Sequence, residues 1–143
     1  MKIEGFVRDA TPFITATLVI GNINLSHPVD FLVDSGASKT AILDKDAQEM
    51  QVNYERLERE EHQPIIGIGG ACETFIAQNA AILFRCTDGS LVVENLDRVF
   101  FLRHPSEIPA ERRNAMLLNS TLGRDMLFRY TMTLKRNTVW LKK

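Results

Sequence analysis

The sequence predicts a protein of the all-β class, mainly β with two short helices. Short runs of β-branched and aromatic residues recur along the 143 residues, turn-forming pairs separate these runs, and helical spacing is confined to two segments. With 45% hydrophobic residues the chain has enough apolar material for one core, and two domains would be cramped. We therefore expect one domain that spans residues 1–143.

Two strands and a helix are predicted in the first part of the chain. Residues 13–20 are rich in β-branched side chains and end at a Gly-Asn turn pair, and residues 29–33 form a second apolar run. Residues 43–50 are predicted to form a short helix with Asp44 as its N-cap, since acidic residues in the first turn complement the helix dipole. The strongly charged residues 53–63 are expected to form a solvent-exposed connection.

A β-hairpin is predicted in the middle of the chain. Residues 73–84 and 91–102 are apolar runs that flank a Thr-Asp-Gly turn at residues 87–89. Residues 104–114 combine prolines with charged side chains, which predicts an irregular surface excursion with at most a short helix after Pro109.

A helix followed by a second hairpin is predicted near the end of the chain. Leu122, Met126 and Tyr130 recur at the spacing of one helix face. Residues 130–134 and 138–141 then bracket a polar Lys-Arg-Asn turn. No internal repeat or flexible linker interrupts this pattern, which agrees with one domain.

The charge pattern argues against nucleic acid and membrane as partners. The formal net charge is -1 and the basic residues are scattered, so the basic surface expected of a nucleic-acid-binding protein is missing. The first residues carry charge where a signal peptide would be apolar, and no segment approaches the roughly 18 apolar residues of a membrane helix. We expect a soluble, cytoplasmic protein.

The cysteine and histidine positions do not predict a metal site. Cys72 and Cys86 lack the spacing of a Cys-x-x-Cys pair, and His27, His62 and His104 are far apart in the sequence and at ligand spacing from neither cysteine. We expect neither a metal nor another cofactor.

The segment at residues 31–38, which reads FLVDSGAS, is the strongest indication of a functional site. An apolar run ends at Asp34, and the small residues that follow allow the backbone to approach closely. A carboxylate at the end of a buried strand is costly unless the protein uses it. The pattern predicts a site but leaves its chemistry open.

A glycine cluster at residues 65–70, which reads IIGIGG, is a second candidate. A phosphate-binding loop is disfavoured because no Gly-Lys-Ser/Thr follows, the spacing is not Gly-x-Gly-x-x-Gly, and the next residues read as a strand. The glycines instead fit the tip of a β-hairpin, either an ordinary tight hairpin or one that bends over a ligand.

Together with residues 122–127, which read LGRDML, these segments resemble the active-site loop, flap and late helix of retropepsin-like aspartic proteases. The order is the same, and the matching segments are roughly residues 29–43, 63–76 and 120–141. The resemblance implies a closed, β-barrel-like acid protease fold with one lobe per chain. The ending looks closer to cellular and bacterial members than to viral ones.

The chemistry implied by this resemblance needs a second carboxylate. Aspartic endopeptidases hydrolyse peptide bonds with two carboxylates that share one proton, one activating a water molecule and the other polarising the scissile carbonyl. Only Asp34 has the small-residue loop. Asp88 precedes Gly89 in a hairpin turn, and Asp125 lies in the helix segment. The other aspartates lack a small-residue loop, namely Asp9, Asp30, Asp44, Asp46 and Asp97. The resemblance therefore implies a C2 homodimer in which each subunit supplies Asp34.

The resemblance also assigns roles around the catalytic residue. Asp34 would be the catalytic acid and base, the Ser35 hydroxyl would lock the two loops together across the dimer axis, and Gly36 and Ala37 would complete the loop. A peptide or protein substrate would be held as an extended strand beneath the flap. The flap and substrate-binding residues would be Ile66, Gly67, Ile68, Gly69 and Gly70, with Ile68 at the tip.

Arg124 is expected to have a structural role. Its five donors suit it to bridging loops. Retroviral enzymes commonly supply an acidic partner at the position of Ser38, so Arg124 needs a different partner here. Phe128 and Trp140 are expected to be core or interface aromatics.

Two other functions stay open from the sequence. The first is a catalytically inactive dimer of the same fold that binds peptides or scaffolds an assembly, because a fold does not determine a function. The second is a monomeric β-barrel binding protein.

Overall fold

The computed structural model describes residues 1–60 and 72–143, and these residues form a mainly β structure. The α-helices are α1 (Asp44–Glu49), α2 (Pro109–Ala115) and α3 (Arg124–Leu127), with 3-10 turns at Gly21–Ile23 and Tyr54–Arg56. The strands are β1 (Lys2–Glu4), β2 (Phe6–Arg8), β3 (Thr11–Ile20), β4 (Leu25–Val33), β5 (Ala41–Ile42), β6 (Glu58–Glu60), β7 (Glu73–Arg85), β8 (Leu91–Arg103), β9 (Thr121–Leu122), β10 (Thr131–Lys135) and β11 (Thr138–Lys142).

Six strands pair in a closed circuit around the core. The order β3-β4-β9-β5-β8-β7 returns to β3 because β3 also pairs with β7. The β4–β9 and β5–β8 pairings are parallel, whereas the other pairings of the circuit are antiparallel. Fully buried aromatic and aliphatic side chains fill the interior, among them Phe31, Phe84, Phe101, Leu18 and Ile82. The mainly β, barrel-like prediction is confirmed.

The β7–β8 hairpin is the longest pairing of this sheet, and it was predicted at the correct turn. Its strands pair from Glu73↔Arg103 to Arg85↔Leu91. At the turn, the Ser90 amide and hydroxyl both donate to the Asp88 carboxylate, at 2.9 and 2.5 Å. Gly89 has a φ of +86°, a conformation that glycine adopts without steric cost.

A second, three-stranded sheet joins the two ends of the chain. Its order is β1-β11-β10, so β11 lies between the first strand and the penultimate one. Gly5 links this sheet to the larger one, and its N–H donates to the Val139 carbonyl at 2.9 Å. A Cβ at position 5 would lie 2.1 Å from the Phe13 carbonyl oxygen, so only glycine fits where the chain passes between sheets.

The helix predictions need three corrections. The short helix allowed after Pro109 is present at residues 109–115, so the described residues contain three α-helices where two were predicted. Asp44 is not an N-cap, because Leu43 holds that position and Asp44 is a buried residue inside α1. Of the three residues at helical spacing, only Met126 lies in α3, because Leu122 lies on β9 and Tyr130 lies beyond the end of α3, where it packs against Phe84.

The charged segment after α1 is more regular than predicted. Residues 54–56 form a 3-10 turn, and β6 pairs with β7 through Glu58↔Ile76. The remainder of this segment, from residue 61 onward, lies outside the described residues.

Candidate active site

The loop that carries Asp34 begins where β4 ends against β9. Phe31 and Val33 are buried on β4, and Val33 pairs with Leu122 in the parallel β4–β9 ladder. The Asp34 amide continues this ladder by donating to the Leu122 carbonyl at 3.2 Å. The apolar run of the sequence is therefore a core strand that delivers Asp34 to the edge of the barrel.

A tight turn then fixes the Asp34 carboxylate. The Ala37 amide donates to the Asp34 carbonyl at 3.2 Å, and the Gly36 amide donates to Asp34 Oδ1 at 2.9 Å. A Cβ on Gly36 would lie 3.1 Å from that same oxygen, so glycine permits the close approach. Asp34 is half-buried while Ser35 and Gly36 are exposed, and within the described residues Oδ2 of Asp34 accepts no hydrogen bond.

The backbone and side chain of Arg124 hold the loop from the opposite side. Its amide donates to the Ala37 carbonyl at 2.8 Å, and its Nη1 donates to the carbonyls of Ser35 at 2.9 Å and Gly36 at 3.1 Å. The hydrogen-bond partner of Arg124, which the sequence did not identify, is therefore the backbone of the Asp34 loop. Its carbonyl oxygens accept the hydrogen bonds that an acidic side chain at position 38 would otherwise accept, since residue 38 is a serine.

Thr40, which is fully buried, and the partly buried Asp125 form a clamp at the end of the loop. The Thr40 amide lies 3.0 Å from both Asp125 carboxylate oxygens, and the Thr40 hydroxyl donates to Asp125 Oδ1 at 2.7 Å. The same hydroxyl accepts from the Gly123 amide at 3.2 Å. A Cβ on Gly123 would lie 2.5 Å from the Lys39 carbonyl carbon, so the two segments touch backbone to backbone.

Sequence reasoning missed this clamp. The available signal was a threonine at the end of the Asp34 loop and an aspartate directly after Arg124. Neither residue type predicts the pairing by itself, because the two lie 85 positions apart.

A second polar cluster surrounds Asp44, which is buried at the start of α1. Asp44 is 4% exposed, and its carboxylate accepts from the His104 amide at 3.0 Å, from His104 Nδ1 at 2.5 Å and from Arg112 Nη2 at 3.2 Å. Arg112 Nη1 also donates to the His104 carbonyl at 2.6 Å. This cluster ties α1, the end of β8 and α2 together.

Asp46, on the same helix, is equally enclosed. The Ser120 hydroxyl donates to Asp46 Oδ2 at 2.5 Å and accepts from the Leu43 amide at 3.0 Å. Ser120 is fully buried, and its carbonyl accepts from the Leu32 amide at 2.8 Å. The segment before β9 is therefore bound to α1 and to the strand that precedes Asp34.

The predicted flap lies outside the described residues, so its roles stay predictions. This applies to Ile66, Gly67, Ile68, Gly69 and Gly70. Described residues next to that segment include Cys72, which packs beside a small apolar cluster of Ala41, Leu43 and Leu102. Burial raises the pKa of the Cys72 thiol, and the Asp44 charge raises it further.

The described residues bear on metal and membrane binding as well. Across residues 1–60 and 72–143, no three His, Cys, Asp or Glu side chains are grouped as metal ligands. No helix in these ranges is both long enough and apolar enough to cross a bilayer.

Comparisons with known proteins identify the family to which this chain is related. The aspartyl protease family matches residues 19–122, which is more than half of the chain. A retropepsin-like aspartic protease from Rickettsia conorii has a similar structure, with a TM-score of 0.58 and 17% identity over 99% of this chain and 90% of that chain. EIAV protease, in complex with the inhibitor HBY-793, aligns with a TM-score of 0.46 and 17% identity over 85% of this chain and 88% of that chain. A comparison with curated proteins gives no match.

The matched region contains the Asp34 loop and ends just before Arg124 and Asp125. Residues 19–122 include the Asp34 loop, the Thr40 position and the β9 strand that receives the Asp34 amide. The resemblance inferred from the sequence motifs is thereby confirmed. The chain belongs to the aspartyl protease family and has the retropepsin-like fold.

Proposed function

We propose that this protein is a homodimeric aspartic endopeptidase in which Asp34 of each subunit forms the catalytic pair. The observation that carries the proposal is the state of the Asp34 carboxylate. It is half-buried and anchored by the Gly36 amide through one oxygen, and its other oxygen accepts no hydrogen bond from the described residues. A family member with one such carboxylate per chain needs a second copy to share a proton.

The proposed mechanism uses the two carboxylates in different protonation states. The ionised Asp34 removes a proton from water as the water oxygen attacks the scissile carbonyl carbon, and the protonated Asp34 of the partner donates its proton to the carbonyl oxygen. The C–N bond then breaks as the leaving nitrogen takes the proton from Asp34, while a hydroxyl of the tetrahedral intermediate gives its proton to the partner's carboxylate, which restores the shared proton. Because the two groups interact strongly, they titrate as one coupled unit.

The backbone contacts of the loop support precise placement of this pair. Arg124 bonds the carbonyls of Ser35 and Gly36, and Thr40 is fixed by Asp125. Rigid positioning matters because small displacements of a reacting group cost rate. In the proposal, residues 66–70 cover an extended peptide whose backbone pairs with the protein as a strand does.

The test is the substitution Asp34→Asn. We expect it to abolish cleavage of a diverse peptide library between acidic and neutral pH while the dimer mass in sedimentation is unchanged. Asp97→Asn is the matched control, because Asp97 is exposed on β8 and should keep full activity. Retained cleavage by Asp34→Asn would disprove the assignment, and a stable wild-type dimer that cleaves nothing would favour an inactive peptide-binding module.

A further inference from the structure

A cavity apart from the Asp34 loop lies between α1, the 3-10 turn at Tyr54–Arg56 and the end of β8. Its volume is about 430 Å³, and none of the residues that line it belongs to the Asp34 loop. Ala47, Val52 and Pro105 make part of its wall apolar. Small-molecule sites are concave and combine such apolar walls with a few polar groups. The polar groups of this cavity therefore decide what it can bind.

Arg103, the last residue of β8, brings to this cavity a guanidinium that no carboxylate neutralises. Its Cζ lies 4.9 Å from the centre of the Tyr54 ring, and that ring packs on Phe75 with 4.9 Å between the ring centres. Arg103 is exposed and forms no ion pair with any residue that the structure describes. Stacking on an aromatic face leaves the N–H groups at the guanidinium edge available to an acceptor.

The other guanidinium of the cavity wall is already occupied. Arg112 Nη1 donates to the His104 carbonyl at 2.6 Å, and Arg112 Nη2 donates to Asp44 Oδ1 at 3.2 Å. These contacts also enclose the Asp44 carboxylate within the protein. Arg103 is therefore the cation of this cavity that is left for a ligand.

Two more polar groups of the cavity wall have no hydrogen-bond partner among the described residues. The first is the Tyr54 hydroxyl, which stays a donor at neutral pH because burial raises the pKa of Tyr54 to about 12 and the Asp44 charge acts in the same direction. The second is the buried Nε2 of His104, whose Nδ1 contacts Asp44 Oδ2 at 2.5 Å. Unsatisfied polar groups are costly, so a polar ligand at this wall would stabilise the site.

The charges around the cavity limit the charge of such a ligand. Arg103 and Arg112 carry two positive charges, and Asp44 and Glu107 carry two negative ones, so the lining is balanced while His104 is neutral. A phosphate dianion would meet the two carboxylates as well as the guanidinium groups. A group with one negative charge suits this lining better.

We propose that this cavity binds the free α-carboxylate of a short peptide or N-acylated amino acid with an apolar side chain. The Arg103 guanidinium and the Tyr54 hydroxyl donate to the carboxylate, and the apolar side chain lies against Ala47 and Val52. Charge-assisted hydrogen bonds of this kind are stronger than neutral ones. The inference does not depend on the proposed function, because the ligand contacts no residue of the Asp34 loop.

Titration with N-acetyl-leucine, followed by amide chemical shifts, tests the site. We expect saturable binding to the wild-type chain with a dissociation constant of about 1 mM. N-acetyl-leucinamide has the same apolar body without the charge, and we expect it to bind at least about tenfold more weakly. Equal binding of the acid and the amide would overturn the proposal, and so would displacement of the acid by an equal concentration of inorganic phosphate.

Variants then identify the residues that hold the carboxylate. We expect Arg103→Gln to weaken binding of N-acetyl-leucine at least about tenfold and Tyr54→Phe to weaken it about threefold. Arg98→Gln is the matched control, since Arg98 is exposed on the same strand and does not line the cavity. Unchanged binding by Arg103→Gln would overturn the site.

The shifted amides show where the probe binds. We expect shifts at Val52, Tyr54 and His104, which line the cavity. Shifts at Ser35 and Gly36 without these would place the probe at the Asp34 loop and overturn the proposal. Because the readout is binding, a protein that cleaves no peptide can still pass this test, and an active protease can fail it.

Discussion

Two aspartates ten positions apart differ in how much of the carboxylate is available. Asp34 is half-buried, and the described residues give its carboxylate one backbone donor, the Gly36 amide. Asp44 is 4% exposed, and its carboxylate receives three donors from His104 and Arg112. Burial alone therefore does not identify a reactive carboxylate in this fold. The carboxylate with an oxygen left open is the candidate for chemistry.

Neighbouring groups respond to the charge of the enclosed aspartate. Burial raises the pKa of Tyr54 to about 12, and the Asp44 charge acts in the same direction. A negative charge disfavours ionisation of a nearby phenol, which is the direction in which the Asp44 carboxylate acts on Tyr54. Enclosure by the donors of His104 and Arg112 is what makes Asp44 a structural residue.

The largest expected effect on stability comes from removing the Asp44 carboxylate from its buried cluster. Asp44→Ala leaves the His104 amide, His104 Nδ1 and Arg112 without their acceptor, and we expect it to lower the free energy of unfolding by about 3–5 kcal/mol. Asp34→Ala should lower it by less than about 1 kcal/mol, because a single hydrogen bond is lost. Urea denaturation measures both variants. Equal losses would show that the two carboxylates do not differ as described.

Glu94 is a further buried carboxylate with several donors, and its contribution to stability depends on pH in the acid range. Its burial acts to raise the pKa, but hydrogen bonds from Lys143, Arg129 and Tyr130 outweigh this and lower the pKa from 4.5 to about 2. A folded-state pKa below the unfolded value means that ionised Glu94 stabilises the fold above about pH 4.5, and that this contribution is lost as the pH falls through about 2.

The corresponding experiment compares the wild-type chain with Glu94→Gln across this range. We expect the wild-type chain to lose about 1–3 kcal/mol more unfolding free energy than the variant, because only the wild-type carboxylate takes up a proton there. Urea titrations at a series of pH values measure the difference. Parallel pH dependence in the two proteins would contradict an enclosed, ionised Glu94.

A smaller effect is expected at the clamp that holds the Asp34 loop. Thr40→Val removes the hydroxyl that donates to Asp125 and accepts from the Gly123 amide. We expect a loss of about 1–2 kcal/mol in unfolding free energy, since buried polar groups are left unsatisfied. The peptide cleavage rate should fall too, because the loop loses its anchor. Thr87→Val, at an exposed turn, should change neither quantity.

The smallest change in stability is expected beside the open carboxylate. Gly36→Ala places a Cβ 3.1 Å from Asp34 Oδ1, which forces that oxygen to move by a few tenths of an ångström. We expect less than about 1 kcal/mol of lost stability but about a tenfold lower cleavage rate. Gly21→Ala, with no atom within 4 Å of the added Cβ, should behave as the wild-type chain in both assays. An unchanged rate for Gly36→Ala would mean that this contact does not position Asp34.

The features predictable from sequence were those encoded by neighbouring residues. The β7–β8 turn at residues 87–89 was found because turn residues interrupt two apolar runs, and the end of β4 at Val33 was found because Asp34 interrupts a third. Asp44 was misassigned for the same reason. An aspartate at the start of a helix resembles an N-cap locally, but its real partners, His104 and Arg112, lie 60 and 68 positions away.

The parts of the site that could not be predicted depend on such distant partners. Arg124 was recognised as a bridging residue, yet its acceptors are carbonyl oxygens, which every residue type carries and no sequence pattern marks. The Thr40–Asp125 contact joins two polar residues whose types fit many surface positions. Only closure of the barrel brings these groups together.

The residues that make these contacts lie far apart in the sequence, which has a consequence for the synthesis of the chain. The hydrogen bonds from Arg124 to Ser35 and Gly36 span 89 and 88 positions, and those between Thr40 and Asp125 span 85. Contacts between distant parts of a chain form late in folding, because the intervening loop must close first. A ribosome that has completed only roughly the first hundred residues has made Asp34 and Thr40 but neither Arg124 nor Asp125, which hold the loop from the distant segment. The growing chain is therefore expected to pass through synthesis with the Asp34 loop unassembled, so that the proposed hydrolysis must wait for the completed chain.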